Sequence, residues 1–175
     1  MSDSKVIYET KFLNFKSAKS PSGNDWYYVK RTNDSNSHDS AVVITTLVKI
    51  NNNYNFLFLK TSRPPITAEN KAKYCLESPA GLIGDINKEE SLLECAKKEL
   101  LEEAGLRADR LFVELTNCST SAGLSSETLS YVTAVVDDYK TIQTPVSDGG
   151  IILESFFVPM ESIYEYLKSL DNQAL

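Results

Sequence analysis

Residues 90–104 constrain the fold of this chain more than any other segment. Apolar residues recur there with the period of an α-helix, good helix formers fill the other positions, and Gly105 follows as a typical C-terminal stop. At about 100° per residue, the apolar side chains share one arc of the helix. Glu103 falls inside that arc, Glu99 lies at its edge and Glu102 lies further round. The pattern predicts an amphipathic helix with carboxylates at the border of a hydrophobic core.

The glutamates of this helix indicate a metal site. A solvated acidic face is the competing interpretation, but such a face should lie opposite the apolar stripe. Glu99 and Glu103 are four residues apart and therefore neighbours, and like charges at a core edge need a compensating cation. Mg²⁺ binds in proteins through a few carboxylates and substrate phosphates. The residue types therefore predict Mg²⁺, with Mn²⁺ as an alternative.

The segments around the helix predict a strand-rich domain. Residues 41–50 are rich in β-branched side chains and predict a central strand, which the turn Asn51-Asn52-Asn53 connects to a returning strand at residues 54–61. Residues 66–73 are expected to form a polar loop. The other predicted elements are strands at 6–15, 26–31, 74–77, 111–116, 129–136 and 151–158, and a helix at 160–170. Their order indicates one α+β domain over residues 1–175, with its core at residues 41–170.

The composition excludes several classes of protein. A net charge of −6 argues against a general nucleic-acid binder, which needs a basic surface to neutralise phosphates. No apolar run is long enough to cross a bilayer, and the first residues do not resemble a signal peptide. The three cysteines match no zinc pattern and are expected to be reduced thiols of a cytoplasmic protein. His38 is the only histidine, and it lies in the polar run of residues 32–40, where we expect a solvated loop residue. This argues against mechanisms that need a Ser-His or Cys-His pair.

The residues around the helix have a long and specific spacing. Gly84 is followed by five residues, Glu90, seven residues, Lys98-Glu99-Leu100, one residue, Glu102-Glu103, one residue and Gly105-Leu106. This spacing resembles the Nudix box, with Lys98 where the family has arginine. That arginine is thought to orient a box glutamate through a forked ion pair, whereas lysine is a point charge, and we expect Lys98 to neutralise Glu90 or Glu102. The resemblance implies the Nudix fold, a mixed β-sheet sandwiched by helices.

Four further segments resemble the ADP-ribose pyrophosphatase branch of the family, and with the box they extend the resemblance from about residue 6 to residue 170. These segments are residues 26–31 (WYYVKR), 62–65 (SRPP), 76–83 (LESPAGLI) and 122–125 (AGLS). In the usual enzymes the glycine of Pro-Ala-Gly is also the first glycine of the box. Here Gly84 takes that position, so the loop after Gly81 is longer.

The resemblance implies a role for particular residues. The Ala80 carbonyl, Glu99, Glu102 and Glu103 would hold the metal. Trp26 would stack on adenine rather than pack in the core, Arg63 would bind the diphosphate through its fork, and Leu82 would line the ribose side. The full set expected to bind substrate is Trp26, Tyr27, Arg31, Arg63, Leu82 and Ser121.

The proton acceptor is the least defined part of the expected site. The family often supplies a glutamate from the loop before the last strand, but residues 147–152 contain none. The remaining candidates are Glu127, Asp148 and Glu154, together with the box glutamates Glu99, Glu102 and Glu103.

The expected function is Mg²⁺-dependent hydrolysis of the diphosphate of ADP-ribose or a related nucleotide sugar, which gives AMP and ribose 5-phosphate in the leading case. The alternatives are another nucleotide sugar such as GDP-mannose, or a Nudix-fold sensor that binds a nucleotide without cleaving it. We also expect a cytoplasmic homodimer in which the strands at residues 6–31 form the interface, without nucleic-acid or membrane partners.

Overall fold

The computed structural model describes residues 4–32, 41–69, 72–85, 87–140, 145 and 151–170. Its strands form a three-stranded N-terminal sheet and a seven-stranded main sheet. The N-terminal sheet contains β1 (Lys5–Glu9), β2 (Leu13–Lys19) and β3 (Asp25–Arg31), which pair in that order and antiparallel.

The prediction of one strand over residues 6–15 is wrong. The hydroxyl oxygen of Thr10 accepts hydrogen bonds from the amides of Phe12 at 3.2 Å and Leu13 at 2.8 Å. A threonine side chain can in this way offer the backbone an alternative to the strand ladder. The resulting turn separates β1 from β2.

The main sheet is mixed, as predicted. Its strands are β4 (Ala41–Ile50), β5 (Asn53–Thr61), β6 (Cys75–Glu77), β7 (Ala80–Leu82), β8 (Arg110–Ser119), β9 (Thr128–Val136) and β10 (Ile152–Pro159). The main path runs β10-β5-β4-β9-β8, in which β4 and β9 are parallel and the other neighbours are antiparallel. The short strands β6 and β7 pair with β5 and β4 respectively.

Helix α2 (Leu92–Ala104) begins two residues later than predicted because Ser91 caps it. The amide of Glu94 donates to the Ser91 hydroxyl at 3.3 Å, and the Glu94 carboxylate accepts from the Ser91 amide at 2.9 Å. This reciprocal capping box satisfies two amides that the helix itself cannot. Gly105 ends the helix in the left-handed region (φ 67°), as the sequence predicted.

The hydrophobic core lies between α2 and strands β4, β5 and β9. Leu92, Ala96, Leu100 and Ala104 of the predicted apolar arc face this core, whereas Leu93 of the same arc is exposed. The buried residues of this core are Val42, Ile44, Val48, Leu57, Cys95, Ala96, Leu100, Ala104, Leu106, Val132, Ala134 and Val136.

Helix α3 (Ile163–Ser169) covers the opposite face of the main sheet after a 3₁₀ turn (Met160–Ser162). The Tyr166 ring packs against Phe58 and Phe156, with centroid distances of 6.3 and 5.9 Å. Phe58 alternates along β5 with Leu57, which belongs to the α2 core, so the two side chains point to opposite faces. The predicted sandwich of helices around a mixed sheet is therefore confirmed.

The prediction of a polar loop over residues 66–73 is wrong in its first half. Residues there belong to a short helix, α1 (Pro64–Glu69). Proline fits the first turn of a helix because the amides of that turn have no partner within the helix. The Pro-Pro pair therefore ends β5 and also begins α1. None of the helices described is long and apolar enough to cross a membrane.

The edge of β4 is divided between two partners, and this division positions the site. Residues 47–50 pair with β5 across a turn in which Asn51 (φ 48°) and Asn52 (φ 70°) adopt left-handed conformations. Residues 41–43 pair instead with β7. As a result, β7 lies on the sheet next to α2.

Candidate active site

Strand β7 contacts helix α2 through a backbone-to-carboxylate hydrogen bond. The amide of Ala80 donates to Oε2 of Glu103 at 2.9 Å. In an extended strand, the amide and carbonyl of one residue point to the same edge. The Ala80 carbonyl oxygen therefore lies on the edge of β7 that receives the Glu103 side chain.

Glu99 lies against the backbone of the next residue of β7. Only 9% of Glu99 is exposed. A Cβ atom on Gly81 would lie 2.1 Å from the carboxyl carbon and from Oε1 of Glu99, a distance that no real Cβ tolerates. A side chain at position 81 would displace the Glu99 carboxylate, because that carboxylate occupies the space beside the glycine.

Lys98 contacts three carboxylates. Its Nζ lies 3.1 Å from Oδ1 of Asp85, 3.2 Å from Oε1 of Glu90 and 3.3 Å from Oε1 of Glu99. The expected partner Glu90 is among them, whereas the contacts with Asp85 and Glu99 were not foreseen. Burial disfavours the ammonium ion, but the hydrogen bonds to Asp85 and Glu90 outweigh this effect and raise the pKa of Lys98.

The carboxylates of Glu99 and Glu103 both have raised pKa values, because their surroundings disfavour the negative charge. Burial raises the pKa of Glu103 to about 7, although the Ala80 amide opposes this change. Burial also raises the pKa of Glu99, against the opposing charge of Lys98, and the charge of the exposed Glu102 adds to the rise. The helical wheel placed Glu103 deepest, but Glu99 is the more buried residue and Glu103 is only partly buried. The wheel correctly identified Glu102 as the outermost of the three. A bound cation would relieve both carboxylates.

The donor types fit an ion that takes few protein ligands. Within the described residues, no group of three or more His, Cys, Asp or Glu side chains is arranged to hold a metal. Two strained carboxylates and a backbone carbonyl form only a partial set. Mg²⁺ accepts such a set because it usually keeps several waters and binds substrate phosphates through its other positions.

Arg63 is engaged by a carboxylate that the sequence did not single out. Its Nε lies 3.0 Å from Oε1 of Glu77, and its Nη2 lies 2.8 Å from Oε2, which is a bidentate pair. Its charge also acts on Glu103 and opposes the rise in that residue's pKa. The guanidinium is therefore held within electrostatic reach of Glu103. The forked preference of arginine for carboxylates was the available signal for Glu77, but the sequence does not show which carboxylate is near.

A second group of predicted residues joins the N-terminal sheet to the loop before β9. The indole Nε1 of Trp26 donates to the carbonyl oxygen of Gly123 at 2.9 Å, and the amide of Val29 donates to that of Leu124 at 2.8 Å. Trp26 is 53% exposed and is therefore not a core residue. Tyr27 is also exposed, and its ring stacks on Phe15.

The remaining predicted residues have diverse surroundings. Glu127 pairs with Arg31 at 2.7 Å, and Glu154 pairs with Lys60 at 2.6 Å. Lys60 alternates with Leu59 along β5 and lies on the α3 face, away from α2. The carbonyl oxygen of Leu82 accepts from the Cys95 thiol, and that of Ser121 accepts from the amides of Leu124 and Ser125. Asp148 lies outside the described residues.

The chain is similar in sequence to known proteins, while no family model matches it. An ADP-sugar pyrophosphatase from Mus musculus is 29% identical over 177 residues, which cover 94% of this chain and 75% of that protein. A putative nudix hydrolase from Caenorhabditis elegans is 31% identical over 106 residues, which cover 59% of this chain and 46% of that protein. The chain thus spans three quarters of the first relative and about half of the second.

Solved structures share the fold. An ADP compounds hydrolase superposes with a TM-score of 0.67 at 17% identity, covering 95% of this chain and 81% of the other. The NUDIX domain of Shewanella oneidensis NrtR, solved with ADP ribose, superposes with a TM-score of 0.53 at 17% identity, covering 77% and 80%. At these identities the likeness shows the arrangement of the strands and helices.

Replacing Glu103 by glutamine should stabilise the metal-free protein in a pH-dependent manner. The pKa of Glu103 is about 7 in the folded protein and 4.5 as the ordinary value, so folding becomes less favourable as the pH rises between these two values. Glutamine removes this penalty and can still accept from the Ala80 amide. We expect Glu103→Gln to gain up to about 3 kcal/mol near pH 8 and much less near pH 5, measured by urea unfolding with a chelator present. Glu89→Gln, at an exposed carboxylate, is the control. An equal gain in the free energy of unfolding at both pH values would show that ionisation of Glu103 is not the cause of the stabilisation.

Proposed function

We propose that this chain is a Nudix hydrolase that cleaves the diphosphate of ADP-ribose or a related nucleoside diphosphate sugar with the help of Mg²⁺, since it is similar to an ADP-sugar pyrophosphatase and to a putative nudix hydrolase. The products would be a nucleoside monophosphate and a sugar phosphate. The observation that carries the proposal is the contact between β7 and α2, where two strained carboxylates adjoin the Ala80 backbone.

Glu99, Glu103 and the Ala80 carbonyl are the residues that would hold the ion, with Glu102 at the solvent side; Mn²⁺ is an alternative to Mg²⁺. When bound, such an ion neutralises the diphosphate and makes a water molecule easier to deprotonate. The donor set supports this role because it is built from oxygen atoms and because burial leaves the carboxylates in need of a positive charge.

The other residues would bind and orient the substrate. Arg63 is fixed by Glu77 through Nε and Nη2, so its guanidinium plane has a defined orientation beside Glu103. A fixed cation at this point favours a diphosphate over a neutral ligand. Leu82 follows Gly81 on the same strand and would line the sugar side. Trp26, Tyr27, Arg31 and Ser121 lie on the N-terminal sheet and the loop that it contacts, and would bind the base.

Glu102 is the carboxylate that we propose to accept the proton of the attacking water. It is exposed, and its charge acts on Glu99, so it lies within electrostatic reach of the metal ligands. Glu127 is paired with Arg31, and Glu154 is paired with Lys60 on the other face of the sheet. Both are therefore weaker candidates for this role.

The choice of an ADP-containing substrate rests on the relatives. One is named an ADP-sugar pyrophosphatase, and one structural neighbour was solved with ADP ribose. A substrate such as GDP-mannose would use the same carboxylates and differ only at the base. A nucleotide sensor would keep the binding residues without turnover, and the complete set of box glutamates argues against it.

The proposed reaction predicts turnover that depends on Glu103. The full chain, incubated with Mg²⁺ and a panel of nucleotide sugars that includes ADP-ribose and GDP-mannose, should release a monophosphate, and a chelator should abolish the release. Glu103→Gln should lower kcat by more than about a hundredfold, because charge stabilisation by a metal is worth several kcal/mol. The exposed Glu89→Gln should retain normal rates. Tight binding of one compound with no turnover of any would favour the sensor.

Trp26 provides a separate test of base binding. Trp26→Ala should raise KM for ADP-ribose by about tenfold with little change in kcat, because stacking on a base contributes about 1–3 kcal/mol. Trp26→Phe keeps a stacking face but lacks the N–H group that reaches Gly123. It should therefore retain most of the affinity. An equal rise in KM for ADP-ribose in both variants would mean that Trp26 acts through its hydrogen bond to Gly123 instead.

We also propose that this single domain forms a homodimer through the N-terminal sheet and is located in the cytoplasm, where its free cysteines would stay reduced. The sheet and its turns expose an unusual number of large apolar side chains, and residues 4–32 carry six basic and two acidic residues in a chain of net charge −6. A patch of this kind indicates a protein interface, and the opposite charge of the remaining chain suits a second copy. The exposed apolar residues are Val6, Ile7, Tyr8, Phe12, Leu13, Phe15, Trp26 and Tyr27.

Sedimentation equilibrium should therefore give the mass of a dimer for the wild type. Phe15→Lys should weaken the dimer strongly, because it places a charge within the apolar patch. Leu153→Lys, at a still more exposed apolar residue, on β10, is the control and should leave the dimer intact. A monomeric wild type at micromolar concentration would refute the homodimer.

A further inference from the structure

The loop between β7 and α2 contributes a carboxylate to Lys98. Gly84 adopts a left-handed conformation (φ 75°), and its amide donates to Oε2 of Glu90 at 3.2 Å. Asp85 follows directly, and its Oδ1 lies 3.1 Å from Nζ of Lys98. The same turn therefore holds Glu90 through its backbone and Lys98 through a side chain.

Three carboxylates around one ammonium ion match the number of its hydrogen-bond donors. Lysine has three N–H groups on a flexible stem, and Asp85, Glu90 and Glu99 lie within 3.3 Å of its nitrogen. An arginine fork would fix its own orientation with two parallel bonds. A lysine needs contacts from several directions to be fixed as well. Asp85 provides the third contact, which an arginine at this position would not need.

The position of Lys98 affects Glu99 directly. Lys98 lies against Oε1 of Glu99, the same oxygen that approaches Gly81. An ammonium that moved further onto Glu99 would compete with a divalent cation for that carboxylate. Asp85 attracts the ammonium towards the loop and so limits this competition.

We propose that Asp85 is a positioning residue, which holds Lys98 between the loop and α2 so that Glu99 keeps its orientation for a divalent cation. The role rests on the proposed function, because it concerns the carboxylates assigned there to the metal. The contact with Asp85 holds the ammonium from a third direction, in addition to the contacts with Glu90 and Glu99.

The test is a double-mutant cycle between positions 85 and 98, read as Mn²⁺ affinity of the full chain by electron paramagnetic resonance of the free ion. Asp85→Asn should weaken Mn²⁺ binding by about tenfold, the usual effect of losing a partner of a metal ligand. In the Lys98→Arg background the same change should cost less than about twofold, because the fork reaches Glu90 and Glu99 without help. Circular dichroism verifies the fold of each variant, and Asp85→Ser serves if Asp85→Asn does not fold.

Two comparisons separate positioning from simple loss of charge. Glu89→Gln removes another carboxylate from the same loop and should change Mn²⁺ affinity by less than about twofold, because Asp85, and not Glu89, is the loop carboxylate that contacts Lys98. Equal losses for Asp85→Asn in the wild-type and Lys98→Arg backgrounds would overturn the positioning role. If the wild type binds Mn²⁺ and hydrolyses a nucleotide sugar, but Asp85→Asn leaves the Mn²⁺ affinity unchanged, only the positioning role of Asp85 is overturned. A wild type that neither binds nor hydrolyses would overturn the proposed function and this inference together.

Discussion

The contact between strand β7 and helix α2 is the interaction on which the candidate site depends. The Ala80 amide donates to Glu103, and the Glu99 carboxylate occupies the space beside Gly81. Neither contact could form if β5 paired along the whole of β4, because β7 uses the first residues of that edge. The division of one strand edge between two partners therefore places a backbone strand within reach of buried carboxylates.

Burial of these carboxylates has an electrostatic cost that the surroundings offset only in part. The pKa values of Glu99 and Glu103 are both raised, although Lys98 and Arg63 lie close enough to oppose the change. The two cations are themselves held by carboxylates, Lys98 by Asp85 and Glu90, and Arg63 by Glu77. The result is a site whose positive groups are fixed in place and whose inner carboxylates still favour an added cation.

The N-terminal sheet is connected to the main sheet mainly through the loop before β9. The links include the Trp26 bond to Gly123, the Val29 bond to Leu124 and the ion pair between Arg31 and Glu127. These contacts fix the edge of the sheet while much of its apolar surface stays exposed. The same tryptophan thus has a hydrogen bond that sets its position and an open surface that can bind a ring.

The sequence by itself determined the helix that carries the glutamates, most of its buried side and the central hairpin, because these depend on local periodicity and on turn residues. The order of the predicted strands and helices indicated the mixed sheet. The sequence also identified the box and its lysine. The structure alone decided which groups meet. The bonds of Ala80 to Glu103, of Arg63 to Glu77 and of Lys98 to Asp85 join residues 13 to 23 positions apart, and such distances depend on how the elements pack. The turn at Thr10 and the helix at Pro64 were missed for a different reason, because side-chain capping and the tolerance of proline in a first helical turn override the strand and loop patterns of the sequence.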